Sequence, residues 1–145
     1  MIQAELPTRT LEPGTSMVKV IPPRLVDPYL TGQRSVIAGY VYRASDCSFR
    51  TPADYYQALA LGYEGSEFAA DMAELFVLRW IALDMSASLV AGPRASGGPV
   101  SAIPEFYTLP VPIPVGAEMG RVTFGAEEFI GRYDGQVWLR PLREA

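Results

Sequence analysis

The sequence lacks histidine altogether, and it contains one cysteine and one lysine among its 145 residues. Without imidazole, catalysis by a Ser-His-Asp or Cys-His set is excluded. Transition-metal sites built from histidine and cysteine are excluded for the same reason, so we expect no transition metal. Schiff-base chemistry is left to Lys19 alone. Any catalysis must therefore depend on arginine, carboxylate, serine or tyrosine side chains.

The single cysteine, Cys47, cannot form an internal disulfide. A reactive thiol needs a histidine or another cationic neighbour that lowers its pKa. We therefore expect Cys47 to be a partly buried small residue rather than a nucleophile.

Charge is also sparse, since charged residues make up 19% of the chain and the net charge is −4. The basic residues are scattered singly, whereas nucleic acid binding needs a continuous basic face, so we expect no nucleic acid partner. No apolar run approaches the roughly 20 residues that span a bilayer, so we expect no membrane segment. The N-terminus lacks a signal peptide pattern, which predicts cytoplasmic synthesis and leaves export by another route open.

Length and composition predict one domain over residues 1–145, because 49% of the residues are apolar, enough for one core. The strands and helix assigned below predict that it is α+β and mainly β. We expect an extended lead-in over 1–16 and a flexible loop over 91–100, both of which contain proline and glycine. Residues 17–21 and 35–42 are predicted as strands because they are β-branched and aromatic. Asp-Pro and Thr-Gly pairs predict a loop over 24–33.

One helix is predicted with clear boundaries, over residues 52–61. Thr51 can cap its N-terminus, Pro52 suits the first helical position and Asp54 completes a capping box. Gly62 is placed to end the helix.

The second half of the chain predicts further strands. Residues 66–83 are ambiguous between helix and strand, and we favour a helical turn near 67–73 followed by a strand at 75–83. Alternating prolines make 103–114 an extended edge segment. Residues 118–142 are predicted as a three-strand meander with a hairpin turn at Asp134-Gly135. The whole gives about six mostly antiparallel strands.

One segment resembles a known family. Tyr42-Arg43 is followed by Asp46, by Arg50-Thr51-Pro52 and by the glycine-aromatic pair Gly62-Tyr63. This succession resembles the ADP-ribosyltransferase toxins of the cholera and pertussis type. The resemblance implies an NAD site in which Arg43 binds the phosphates, with Tyr63 beside the cofactor.

The family's remaining motifs match other residues. Its middle serine motif corresponds to Ser66, or to Ser86-Ala87-Ser88. Its last motif ends in a glutamate that stabilises positive charge on the sugar as nicotinamide leaves, and the resemblance gives this role to Glu128, with Glu118 second. Ala126 stands where the family has an acid or amide, which favours NAD hydrolysis or an inactive relative over modification of protein arginines.

Simpler interpretations of the same residues stay open. Arg43 can form a surface ion pair with Asp46 or Asp54. Glu127 and Glu128 are adjacent in a predicted strand and point to opposite faces, so at least one is plain solvent-facing charge.

Two functions follow from the sequence. The first is an NAD-using or NAD-cleaving effector, which predicts Arg43 and a glutamate in one cleft. The second is a non-catalytic protein-binding module, such as an immunity or adaptor protein or a subunit of a larger assembly. It predicts an exposed apolar-aromatic patch. Homo-oligomerisation is left open.

Overall fold

The computed structural model describes residues 14–62, 66–82, 87–89 and 102–141. These residues form eight strands, two α-helices and a short 3₁₀ helix. In chain order they are β1 (Ser16–Ile21), α1 (Pro23–Leu30), β2 (Val36–Arg43), the 3₁₀ helix (Ala44–Asp46), α2 (Pro52–Ala58), β3 (Leu75–Ile81), β4 (Ala87–Leu89), β5 (Phe106–Pro112), β6 (Glu118–Thr123), β7 (Ala126–Tyr133) and β8 (Trp138–Leu139).

All eight strands belong to one sheet with the order β4-β5-β2-β1-β3-β6-β7-β8, and each neighbouring pair is antiparallel. The predicted fold class, α+β and mainly β, is confirmed, as is the C-terminal meander of β6, β7 and β8. The strand count is higher than the predicted six because β4 and β5 join the sheet.

Alternation along the strands gives the sheet two apolar faces. The α1 face holds a buried cluster from α1 and six of the strands: Met17, Ile21, Val26, Tyr29, Ile37, Val41, Leu78, Trp80, Phe106, Ile113, Met119 and Trp138. The α2 face holds a second cluster: Val18, Val20, Tyr42, Tyr55, Leu59, Leu61, Leu75, Val77 and Val122. The central strands β1 and β3 therefore contribute buried side chains to both faces.

The predicted loop over 24–33 is wrong, because Pro23–Leu30 form α1 despite Pro28 inside the helix. Pro28 removes one backbone donor and costs helix stability. Burial outweighs that cost, since Tyr29 is fully buried and donates its hydroxyl hydrogen to the Val36 carbonyl at 2.8 Å. The stability of such short helices commonly comes from tertiary packing of an apolar helix face rather than from local propensity.

The second helix follows the predicted start and ends earlier. Thr51 and Asp54 form the expected capping box, with Asp54 N–H donating to the Thr51 hydroxyl at 3.1 Å. The helix ends at Ala58 rather than at residue 61. The left-handed residue after it is Ala60, with φ of 54°, so the predicted stop at Gly62 is also wrong.

Residues 66–83 resolve in favour of the strand, since β3 covers Leu75–Ile81. The predicted helical turn near 67–73 is a hydrogen-bonded turn in which Met72 N–H donates to the Ala69 carbonyl at 3.2 Å. The proline-rich segment is an edge only in part, because β5 pairs with both β2 and β4 over Phe106–Thr108. Its two prolines, Pro110 and Pro112, lie beyond the pairing with β4.

The β7–β8 hairpin confirms the predicted turn position with a longer loop. Tyr133 pairs with Trp138, so the loop has the four residues 134–137. The Asp134 carboxylate accepts hydrogen bonds from the Gln136 and Val137 amides, both at 2.8 Å. Most of the predicted lead-in and all of the predicted loop over 91–100 lie outside the described residues.

Candidate functional site

Arg43 ends β2, at the point where the chain turns into the 3₁₀ helix. Its Nε donates to Asp46 Oδ2 at 2.9 Å, and its guanidinium lies 5.5 Å from the centre of the Phe106 ring. The simpler interpretation of the sequence, an ion pair with Asp46, is therefore present. Its two terminal nitrogens make no hydrogen bond within the described part of the chain, and they remain available to a carboxylate or phosphate.

Glu128 lies in β7 and binds Arg121 at 3.1 Å. Three strands separate it from Arg43, because the sheet order runs β2-β1-β3-β6-β7. Four inter-strand spacings amount to about 19 Å along the sheet. The fold therefore does not bring Glu128 to Arg43.

Glu118 lies closer to Arg43, at the start of β6. It lines a hollow of about 370 Å³ at the strand ends, together with Ser16, Met17, Ala44, Arg79, Trp80, Ile81 and Gly116. Ala44 lines the hollow, but its neighbour Arg43 does not. The Arg43 guanidinium lies against Phe106 of the α1-face cluster, whereas Glu118 is on the α2 face, opposite Arg79. The Glu118 carboxylate is already occupied, because Arg132 donates to it at 2.7 and 3.0 Å.

Ser66 has a local structural role. Its hydroxyl donates to the Leu61 carbonyl and accepts from the Phe68 amide at 3.1 Å, which ties the segment after α2 into a turn. Tyr63 and Ser86 lie outside the described residues, and only the backbone of Ser88 is described, in β4.

A polar network that the sequence did not predict lies on the α2 face. Arg79 donates to both carboxylate oxygens of Glu127, at 2.7 and 2.9 Å, and to the Tyr55 hydroxyl at 3.2 Å. The hydrogen bonds that Arg79 donates to Glu127 raise the pKa of Arg79, and burial raises the pKa of Tyr55. The charges of Arg79 and Glu127 thus compensate each other, and the Tyr55 hydroxyl accepts a further hydrogen bond from Arg79. This arrangement is expected of a structural link between β3, α2 and β7.

Cys47 lies beside this network and is partly buried, as the sequence predicts. Burial raises the pKa of its thiol to about 11, although the positive charge of Arg79 opposes the shift. A thiol in this state is almost entirely protonated near neutral pH, so it is a poor nucleophile.

One sequence signal could have indicated the network. Arg79 is the only charged residue in the apolar strand β3, where an unpaired charge would be costly. Its partner could not be identified, because Glu127 is 48 residues away and reaches Arg79 only through the placement of β6 between β3 and β7.

The outer surface of the β7–β8 hairpin is unusual for a different reason. Phe129, Val137 and Leu139 are exposed by 40%, 56% and 52%. Arg132 pairs with Leu139 across the hairpin, and its guanidinium lies 5.7 Å from the Phe129 ring centre. We call these four residues the hairpin patch. Solvated strand faces are ordinarily polar, so apolar side chains exposed together at this hairpin are unusual.

The opposite side of the same hairpin is buried. Trp138 belongs to the α1-face cluster, and Ile130 and Tyr133 pack against that cluster. The hairpin therefore carries apolar side chains on both faces, although its own fold needs only one of them.

Two further properties bear on function. No described helix has the length and apolar character that crossing a membrane requires. Within residues 14–62, 66–82, 87–89 and 102–141, no three acidic or cysteine side chains are grouped as a metal site would require. Comparison of the chain with protein families, with curated proteins and with solved structures finds no match.

Proposed function

We propose that this chain is a non-catalytic protein-binding module, and that the hairpin patch is its contact surface. The observation that supports this is the exposure of Phe129, Val137 and Leu139 on the solvent face of an otherwise well-packed hairpin. Aromatic residues and arginine are enriched at protein interfaces, and Arg132 over Phe129 provides both.

The charge arrangement supports binding over catalysis. Each glutamate that the sequence nominates is paired with an arginine, Glu118 with Arg132 and Glu128 with Arg121. An arginine at hydrogen-bonding distance neutralises much of the field that a carboxylate would exert on a developing positive charge. Both glutamates are accordingly better suited to holding strands together than to stabilising an oxocarbenium-like sugar.

Site-specific photocross-linking tests the proposal. A benzophenone amino acid replaces Leu139 in one variant and Leu109 in a control, in the cells that make this protein. Leu109 is also an exposed leucine, but it lies on β5, near the opposite edge of the sheet from β7 and β8. We expect a discrete protein adduct from position 139 and none from position 109. The purified adduct partner should then bind the unmodified chain and lose at least about tenfold in affinity with Phe129→Ser.

Equal cross-linking from both positions, or none from position 139, would reject the hairpin patch as the contact surface. An adduct partner whose affinity is unchanged by Phe129→Ser and by Leu139→Ser would reject it as well.

A second candidate function is NAD cleavage, and the strand-end hollow favours it. In this proposal the terminal nitrogens of Arg43 bind the pyrophosphate, and Glu118 stabilises positive charge on the ribose as the bond to nicotinamide breaks and water adds. The support is the hollow that Glu118 and Ala44 line, and binding at Arg43 requires its side chain to leave Phe106 and turn toward that hollow. Glu128 has no comparable support, because it lies on the far side of β6.

Nicotinamide release tests this second function. The pure protein is incubated with NAD beside the Arg43→Ala and Glu118→Gln variants, with Glu128→Gln as the matched control. Release that depends on Arg43 and Glu118 but not on Glu128 would support NAD cleavage at the strand-end hollow. Absence of release from the unmodified protein would reject it.

A further inference from the structure

The outer edge of β7 is longer than the strand that covers it. β7 runs from Ala126 to Tyr133, and along its inner edge it pairs with β6 from Ala126 to Arg132, with a bulge at Ile130. On the outer edge β8 pairs only with Arg132 and Tyr133. Within the described residues, the backbone of 126–130 therefore has no strand on its outer side.

An open stretch of this length can accept another strand. Hydrogen-bonded and non-hydrogen-bonded pairs alternate along an antiparallel ladder, so alternate amides and carbonyls of 126–130 point away from β6. Natural sheets protect such edges with short strands, prolines, charged side chains or bulges. Along 126–130 this protection consists of Glu127, Glu128 and the bulge at Ile130, without proline or lysine.

The apolar side chains around this edge match an added strand. Phe129 lies within the open stretch, and Phe124 at the β6–β7 turn is 90% exposed. Leu139 marks the other end of the open stretch, on β8. A strand added along 126–130 would cover Phe129. Its side chains on the same face would also reach the rest of the hairpin patch.

The charges around the open stretch indicate the chemistry of the partner. Arg121 pairs with two carboxylates, Glu128 at 3.1 Å and Glu74 at 3.4 Å, so the Glu128 carboxylate shares its arginine and is only partly compensated. Glu127 on the other side is matched by Arg79. A lysine or arginine directly opposite Glu128 would compensate the remaining charge, since opposite charges on neighbouring strands stabilise a sheet.

A second copy of this chain fits the edge poorly. Two β7 edges that overlap fully around a two-fold axis place Glu128 opposite Glu128, and like charges directly opposite destabilise a strand pair. A segment from another protein has no such restriction.

We propose that the outer edge of β7, residues 126–130, accepts an extended segment of a partner protein as an added strand. The segment carries apolar side chains on the face that contacts Phe129 and a lysine or arginine opposite Glu128. This inference rests on the proposed protein-binding function and specifies its mode. Main-chain hydrogen bonds supply affinity in this mode, and alternate side chains supply specificity.

Two synthetic peptides test the mode of binding. Both are capped heptapeptides with threonine at the ends, one alternating valine with lysine and the other alternating valine with glutamate. Binding to the full chain is measured by fluorescence anisotropy at low salt, beside Glu128→Lys. We expect the lysine peptide to bind at least about fivefold more tightly than the glutamate peptide, and Glu128→Lys to reverse that preference.

Amide hydrogen exchange locates the bound peptide. Addition of the lysine peptide should slow exchange at the outward-pointing amides of 126–130 and leave the amides of β5 unchanged. Binding without new protection at 126–130 would overturn strand addition and leave the hairpin patch open as a side-chain contact surface. Absence of binding by either peptide, or a preference that Glu128→Lys leaves unchanged, would overturn the inference, as would a stable dimer of the chain through this edge. The photocross-linking experiment tests the proposed function independently of these outcomes.

Discussion

β3 and β7 lie on either side of the same strand, β6, but most β3 side chains are buried and most β7 side chains are exposed. In β3 the side chains of Leu75, Val77 and Leu78 are fully buried, and its one charged residue, Arg79, is compensated. In β7 most side chains are exposed, two are glutamates and, among the residues that the structure describes, part of the backbone has no strand on one side. Position within the sheet decides this difference, because β3 is covered on both faces and β7 is covered on one.

The comparison shows that the buried apolar side chains of the sheet centre and the exposed apolar side chains of the hairpin lie in different parts of the sheet. Residues from β1 and β3 supply both apolar clusters, whereas the hairpin presents apolar side chains that its own packing does not use. Substitutions in β3 should therefore affect folding, and substitutions in the hairpin patch should affect binding with little effect on folding.

A matched pair of leucine substitutions gives the largest expected contrast. Leu78→Ala leaves a cavity at a fully buried site and should lower the free energy of unfolding by about 2–5 kcal/mol. Leu139→Ala removes a half-exposed side chain and should change it by less than about 0.5 kcal/mol. Urea unfolding of both variants measures the difference, and equal losses would contradict the separation.

Thiol reactivity contrasts the interior near Arg79 with the hairpin. With a pKa of about 11, the Cys47 thiol should react with iodoacetamide at pH 8 about 100-fold more slowly in the folded protein than in urea. Val137→Cys in a Cys47→Ser background should react at nearly the same rate in both states, because position 137 is exposed. A fast reaction of folded Cys47 would show that the thiol is accessible and ionised.

Two arginines allow the same comparison for ion pairs. Arg79→Met removes three hydrogen bonds from a partly buried network, and should lower the free energy of unfolding by about 1–2 kcal/mol. Arg132→Met breaks an exposed pair with Glu118 and should cost less than about 1 kcal/mol. Thermal and urea unfolding measure both, and the reverse ranking would contradict a structural role for the Arg79 network.

The smallest effect concerns the loop of the hairpin. Hydrogen bonds from the Val137 and Gln136 amides lower the pKa of Asp134. The unfolded chain therefore takes up this proton at a higher pH than the folded chain, so the stabilisation is present above the ordinary pKa and is lost as the pH falls through the folded value. Asp134→Asn keeps the turn and should lose less stability than the unmodified protein between about pH 5 and pH 2. Identical acid profiles would contradict this.

The fold was predictable wherever local patterns and tertiary packing agree. The capping box of Thr51 and Asp54 placed α2, and alternation with turn residues placed β6, β7 and β8. The prediction failed at α1, where the cost of Pro28 is local and visible in sequence, whereas the burial of Tyr29 depends on strands far along the chain. It failed again at Ala60, because an alanine rarely adopts the left-handed conformation and Gly62 was the better local candidate.

The candidate sites were predictable only as residue types. The sequence nominated Arg43, Glu118 and Glu128 without the strand order that separates Arg43 from Glu128. For a binding module the sequence predicted an exposed apolar-aromatic patch but not its residues. Which side of β7 stays uncovered depends on where the helices pack. The open edge at 126–130 follows from the shortness of β8, which the sequence predicted as a longer strand.

The most direct test of the central proposal is the affinity of the cross-linked partner for two leucine variants, Leu139→Ser and Leu109→Ser. Both side chains are exposed, so neither substitution should disturb folding by more than about 0.5 kcal/mol. A binding surface at the hairpin predicts at least about tenfold weaker binding for Leu139→Ser and unchanged binding for Leu109→Ser. Equal affinities for the two variants, or a loss confined to Leu109→Ser, would contradict it.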